Sequence, residues 1–315
     1  MKILIFGAGV IGSIYAARLH EANHEVTLLA RGRRYEELCQ DGVIITEKIT
    51  GKQLTSPIPV VQELTATDFY DLIIVTVRFD QVDSIIPILQ QNKNCLLVLF
   101  LLNNPGNATD LMSALYPKHI LLGLPGAGGI KNGKSIDYIQ IKQQKTTIGE
   151  ISGPATDQLR AVKTVLENAG FGVGTGSNMP AWLKTHAVFV SCVTAAILSE
   201  NGDPVQLSHK RGSVRLMVSS IREGFLACRA LGMPVKPTNL KIIFMIMPRW
   251  FSVLYWQGAL RGKVGTLAMA PHANAAKAEM GLLAGKVIAM LHSSPLPTPT
   301  LDKLLYSFIQ ATKFY

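Results

Sequence analysis

The sequence predicts a doubly wound α/β sheet followed by a smaller all-α domain, and three observations carry that prediction. An apolar run at residues 3–6 feeds directly into Gly7-x-Gly9-x-x-Gly12, with amphipathic residues after it at 13–19, which is the order strand, glycine turn, helix. Strand-like and helix-like segments then alternate to about residue 175, as parallel strands joined by crossover helices do. From Pro180 onward the periodicity is helical throughout. A chain of 315 residues is long enough for two cores, so the expected domains are 1–175 and 176–315.

The glycine spacing has a direct physical reading. Gly7 permits a tight turn, Gly9 lets backbone come close to a pyrophosphate, and Gly12 lets the helix lie against the strand. The helix N-terminus offers free N–H groups and a partial positive charge to phosphates. Gly7, Ala8, Gly9, Val10, Ile11 and Gly12 are therefore the expected cofactor loop of a Rossmann-type domain. In a chain with 27 glycines the motif alone is weak evidence; the strand before it and the helix after it give it weight.

Residues 25–29 read as the second parallel strand. In NAD sites an acidic residue about 20 positions beyond the glycines binds the ribose 2′-hydroxyl. Here the chain reads Ala30-Arg31-Gly32-Arg33-Arg34. A cation suits a 2′-phosphate, which favours NADP(H) over NAD(H), with Arg31 as the leading contact. For Arg33 and Arg34 a solvated turn and helix start is an equal alternative.

A helix over 35–40 and strands over 43–45 and 54–60 follow, flanking a polar loop at Gly51. Residues 72–76 are continuously apolar, as expected in a sheet covered on both faces. Arg78 stands beyond the carboxyl end of that strand, where ligands bind in open α/β sheets, and is placed to reach cofactor phosphate or ribose. A helix over 81–89 and a strand over 95–101 lead to Asn103-Asn-Pro-Gly-Asn107. There Asn103 is either a hydrogen-bonding partner for substrate or nicotinamide ribose, or an ordinary turn former. A strand over 120–122 runs into Gly123-Leu-Pro-Gly-Ala-Gly-Gly129, expected as a loop approaching the nicotinamide end or as a simple turn. Strands near 138–141 and 146–148, a helix over 156–169 and a short strand at 171–173 complete the α/β half. Gly174-Thr-Gly-Ser-Asn178 reads as a linker.

The second half predicts helices over 180–198, 214–231, 240–260, 274–291 and 301–309. Pro180 suits a first helical turn, and Lys184, Val188 and Cys192 share one face at i, i+4 and i+8. The apolar stretch 242–260 is interrupted by Pro248, Arg249 and Gln257, short of the roughly 18 uninterrupted apolar residues of a membrane span. It reads as a buried helix with a proline break, so no membrane association is expected.

Composition narrows the function classes. Hydrophobic residues at 48% and charged residues at 17% describe a globular chain and exclude disorder. The formal charge of +10 is scattered apart from Arg31-Gly-Arg-Arg34. That favours a protein drawing anionic small molecules into its clefts over one that binds nucleic acid. Cys39, Cys95, Cys192 and Cys228 show no C-x-x-C spacing, so neither a metal site nor a disulfide framework is expected, and a cytoplasmic setting fits. Glycines break the N-terminal apolar run and no cleavage-site pattern fits it, which argues against export.

Taken in order, these features resemble the ketopantoate reductases (2-dehydropantoate 2-reductases) and their NADP-dependent relatives over nearly the whole chain. The matching residues are Phe6-Gly7-Ala-Gly9-Val-Ile-Gly12, Arg31, Thr76-Val-Arg78 and Asn103 before Pro-Gly. They continue with Ala181-Trp-Leu-Lys184, Asn201-Gly202, Ala230-Leu-Gly-Met-Pro234 and Pro297-Thr-Pro299. The resemblance implies NADPH-dependent reduction of a 2-oxo acid to a 2-hydroxy acid, with 2-dehydropantoate to pantoate, in pantothenate biosynthesis, as the leading reaction. It places the catalytic lysine at Lys184, whose ammonium would polarise the carbonyl and supply the proton. Residues 176–315 then form the substrate domain, with Asn201, Val188 and Cys192 at substrate-binding positions.

Two departures bear on substrate. The family carries asparagines one and two turns beyond the lysine, where this chain has Val188 and Cys192, and neither supplies an amide's paired donor and acceptor. The family's threonine-glutamate-isoleucine-aspartate motif is replaced by Met269-Ala-Pro-His272 and the residues up to Glu279-Met280, where His272 or Glu279 is either a substitute or a surface group. The alternatives are a relative acting on a more apolar 2-oxo acid, and a catalytically silent NADP-binding or sensing protein. The apolar C-terminal helices are compatible with a homodimer.

Overall fold

A computed structural model describes residues 1–103, 108–140 and 145–312. The chain divides into one compact unit that runs to Pro180 and a second that begins at Ala181. The predicted turn at 104–107 and the end of the predicted strand at Ile141 lie outside the described residues.

The first unit opens with β1 (Lys2–Phe6), α1 (Val10–Glu21), β2 (Glu25–Leu29) and α2 (Gly32–Asp41). After these come β3 (Val43–Glu47), β4 (Gln53–Ser56), β5 (Val60–Val61), β6 (Leu72–Val75), α3 (Val82–Gln91), β7 (Leu97–Leu101) and α4 (Ala108–Leu115). It closes with β8 (His119–Leu124), β9 (Ala127–Asn132), β10 (Ser135–Gln140), β11 (Thr146–Glu150), α5 (Asp157–Asn168) and β12 (Val173–Thr175).

The main sheet has the order β12-β11-β8-β7-β6-β1-β2-β5. From β8 to β5 all neighbours are parallel, and β11 runs antiparallel to β8. Chain order reverses at β1, which lies between β2 and β6, and that is the switch point where an open α/β sheet leaves a crevice beyond its strand ends. β1, β6 and β7 are almost wholly buried, which is why they read as unbroken apolar runs.

A second sheet, β4-β3-β10-β9, is the main departure from expectation. The Gly123–Gly129 stretch, expected as a loop, is mostly strand: β8 extends through Leu124 and β9 begins at Ala127. Pairing with β10 makes β9 a strand, since its own residues show no apolar alternation. At Gly129 any Cβ would run into the backbone of Asp137 and Tyr138. This sheet covers the side of α1 that would otherwise face water. Thus α1 is buried nearly all round (Ile14, Tyr15, Ala16, Ala17, Leu19) and lacks the polar face of a surface helix. The Tyr15 ring stacks on Phe171 at 4.2 Å and its hydroxyl meets Thr146 Oγ1 at 2.5 Å.

The second unit is helical: α6 (Met179–Leu198), α7 (Pro204–His209), α8 (Arg211–Ala230), α9 (Thr238–Lys241), α10 (Arg249–Arg261), α11 (Ala270–Ala275), α12 (Lys277–Leu291) and α13 (Pro299–Thr312). The helix expected over 240–260 is divided. A π-helical turn at Ile242–Ile246 precedes an extended Met247 and Pro248, and the helix restarts at Arg249. Proline cannot continue the hydrogen-bond ladder, so the break falls where the sequence places it. Phe189, Phe225, Phe244 and Trp256 form an aromatic cluster with centroid separations of 5.3 to 6.0 Å. α6 is long and apolar enough to cross a membrane, but 72% of its apolar window is buried inside the protein, as in a core helix.

Candidate cofactor loop and the Lys184 helix

The glycine loop joins β1 to α1 at the switch point. Gly7 has φ +118°, a value that L side chains rarely adopt, and Thr76 Oγ1 donates to its carbonyl at 2.9 Å. A Cβ on Gly12 would collide with that same carbonyl oxygen and with Thr76 Oγ1, so Gly12 is required for the helix to sit this close to the strand. Gly9 differs: nothing lies within 4 Å of a Cβ placed there, and it is exposed. It forms the N-cap of α1 with no side chain capping the helix, and the first turn carries no acid. An open approach over uncapped amide groups fits a pyrophosphate. Val10 and Ile11 are half-buried in the first turn of α1.

Arginines surround this loop in three different ways. Arg31, at the end of β2, is exposed; its Nε donates to the Gln62 carbonyl at 3.3 Å, and among the described residues no carboxylate pairs with it. Arg33 is 90% exposed and reaches Glu37 at 3.1 Å. Arg34 turns inward: its Nε donates to the Ala8 carbonyl at 3.2 Å, one terminal nitrogen to Ser13 Oγ at 3.2 Å, and the other to Glu37 at 3.2 Å. Lys131 on β9 meets Glu37 at 2.6 Å. Lys131 first, then Arg34, hold the Glu37 carboxyl down at about 2. These groups line a cavity of about 500 Å³ with Gly133. The clamp from Arg34 onto the loop backbone was not legible in the sequence, where a turn of three arginines gives no sign of which one folds back.

Arg78 lies past the carboxyl end of β6, as expected, but its guanidinium is held in a forked pair by Asp80 at 3.1 and 3.0 Å. Asn103 is half-buried just beyond β7.

In the second unit Lys184 is half-buried on α6. Burial pushes the Cys228 thiol on α8 up to about 12, opposed by the Lys184 ammonium. Thr185 fixes this end of α6: its hydroxyl lies 2.9 Å from the Lys236 carbonyl and 3.0 Å from that of Ala181. No sequence signal marked that anchor.

The three expected substrate positions are placed differently from their sequence reading. Val188 and Cys192 are 0% exposed. Val188 packs so tightly on Gly224 of α8 that a Cβ there would overlap it. Burial, with Glu223 nearby, pushes the Cys192 thiol up. Both are packing residues of the α6–α8 contact, with no surface to offer a substrate. Asn201 is exposed in a turn with φ +56°, the left-handed geometry that asparagine tolerates. The helix from Lys184 to Leu198 spans about 21 Å at 1.5 Å per residue, so Asn201 cannot touch a small substrate held by Lys184. Glu279 is half-buried in the first turn of α12, where a carboxylate suits the helix dipole. The side chain of His272 lies outside the described residues. Asn274, unmarked in the sequence, donates to the Gly202 carbonyl at 3.0 Å. Among the described residues no group of three His, Cys, Asp or Glu could hold a metal ion.

Residues 3–153 match the family profile described as Ketopantoate reductase PanE/ApbA. A 2-dehydropantoate 2-reductase of Pyrococcus horikoshii is 25% identical over 99% of this chain and 97% of its own. One from Listeria innocua is 24% identical over 71% of this chain and 73% of its own. Among solved structures, a PanE/ApbA family ketopantoate reductase from Ralstonia eutropha superposes with a TM-score of 0.77 at 18% identity, covering 100% of this chain and 99% of the other. A D-mandelate dehydrogenase in a ternary structure with NADH and anilino(oxo)acetate gives 0.77 at 16% identity, covering 100% and 98%. At such identities the two structures speak for the fold alone.

Proposed function

We propose that the chain is a member of the ketopantoate reductase family, whose profile matches residues 3–153, and that it reduces 2-dehydropantoate to pantoate with NADPH. The observation that carries the choice of cofactor is Arg31, an exposed cation just past the end of β2 that, among the described residues, has no carboxylate partner. In this reading residues 1–175 hold the dinucleotide and 176–315 supply the substrate side. The loop from Gly7 to Gly12 receives the pyrophosphate and Arg31 the 2′-phosphate. Arg78 and Asn103 serve the ribose and the reactive end. NADPH, when bound, supplies hydride to the carbonyl carbon. Lys184 hydrogen-bonds the carbonyl oxygen through its ammonium, stabilises the negative charge that grows there, and gives it a proton.

The test is NADPH oxidation with 2-dehydropantoate, by the wild type and by Lys184→Ala. The expected result is turnover by the wild type and a loss of about a hundredfold to ten-thousandfold in the variant, the range for a positioned general acid. Unchanged turnover in the variant would remove Lys184 from the chemistry.

A second reading has its own support. With Val188 and Cys192 buried in packing at the positions where relatives carry amides, α6 offers a substrate no amide there. A more apolar 2-oxo acid, which needs no such amides, would suit this chain better than a hydroxylated one. Branched and aromatic 2-oxo acids turned over faster than 2-dehydropantoate would establish this reading in place of the first.

A further inference from the structure

One face of α8 carries Arg215, Ser219, Arg222 and Leu226 at i, i+4, i+7 and i+11, a single stripe along the helix. The stripe lines a partly open cavity of about 390 Å³ within the helical unit, bordered on other sides by Arg249 at the start of α10 and Thr300 at the start of α13. Three arginines therefore line one space. Among the described residues none of the three has an ion pair or a hydrogen bond.

The one carboxylate at the cavity, Glu223, is already engaged. Its Oε2 accepts the backbone N–H groups of Thr300 and Leu301 at 2.7 and 3.1 Å, capping α13. Arg249 also stands against the local field: it is the first residue of α10, and that helix has no acid in its first turn. A cation at a helix N-terminus opposes the macrodipole, so helix stability gives no reason for this placement, and an anion in the cavity would offset its cost. Three guanidinium charges against one carboxylate leave an excess of two, which matches a doubly charged phosphate group, and guanidinium forks suit phosphate oxygens.

We propose that this cavity binds a phosphate-bearing small molecule, at a site separate from the dinucleotide loop of the first unit. The volume exceeds that of a phosphate group, and Leu216 and Leu226 offer the remainder of the ligand an apolar wall.

The test is calorimetric titration with pyrophosphate in the presence of saturating NADPH, so that the dinucleotide loop is filled. Wild type and the double variant Arg215→Gln, Arg249→Gln are compared, with NADPH binding and thermal unfolding of both recorded. The expected result is one pyrophosphate per wild-type chain and affinity at least tenfold weaker in the double variant, while NADPH affinity is unchanged and the unfolding temperature is not lowered. Equal pyrophosphate affinity in the two proteins, or no binding by the wild type, would overturn the proposal.

Discussion

Glu37 ties three cations into one cluster beside the glycine loop, and its protonation state reports on that cluster. Its carboxyl titrates at about 2 in the folded chain against 4.5 ordinarily. A depressed folded value means that the stability it contributes is complete above about 4.5 and fades as the pH falls toward 2. The stability difference between wild type and Glu37→Gln should accordingly shrink over that window in denaturant titrations, whereas a difference independent of pH would show that the cluster does not depend on the charge. At Gly12, alanine forces a carbon into the Gly7 carbonyl; overpacking of this kind costs about 1–3 kcal/mol, and NADPH binding should fall with it. Arg31→Ala should lower NADPH preference over NADH by about tenfold, or about 1.4 kcal/mol; an unaltered preference in competition binding would place the 2′-phosphate elsewhere. The glycines were legible because each performs a backbone task that few other residues perform. Arg34 was not, because its partners Ala8 and Ser13 are 26 and 21 residues away and only the fold brings them together.

Helix α6 shows what periodicity conveys about an element and what it omits. Spacing placed Lys184, Val188 and Cys192 on one face, but it carried no information on whether that face meets a ligand or another helix. The structure turns the face toward α8, where Gly224 admits Val188 closely. Replacing Val188 or Cys192 with the asparagine of relatives should therefore lose stability rather than restore substrate contacts. A buried amide without partners costs about 1–3 kcal/mol, read as a lower denaturant midpoint; an asparagine variant of undiminished stability with faster turnover of 2-dehydropantoate would put the face back in the substrate site. The same limit explains β9. Its glycines looked like a loop because its strand character comes from β10, and nothing local encodes it.

At the scale of the whole chain, the change from alternating elements to helices alone was visible because parallel strands with crossover helices and helical packing have different periods. The order of the main sheet follows from its connections: β2 on one side of β1 and β6 on the other, with Gly7, Gly12 and Thr76 meeting at their ends. Strands near 43–45, 54–60 and 138–141 were legible, but their pairing with β9 into a second sheet was not, because the sheet joins two separated stretches, Val43–Ser56 and Ala127–Gln140. A dinucleotide that binds only the folded chain should stabilise it by mass action, by about 2.7 kcal/mol at a hundredfold excess over Kd.

In the proposed reaction this fold reduces a 2-oxo acid with NADPH and uses Lys184 as the acid. The most direct measurement is NADPH oxidation across a panel of 2-dehydropantoate, branched and aromatic 2-oxo acids, run in parallel with wild type and Lys184→Ala. The wild type is expected to consume NADPH with at least one member of the panel, and the variant, still binding NADPH, to lose that activity by about a hundredfold or more. A wild type that binds NADPH and reduces no member of the panel would contradict the proposal, and would leave a dinucleotide-binding protein without reductase chemistry.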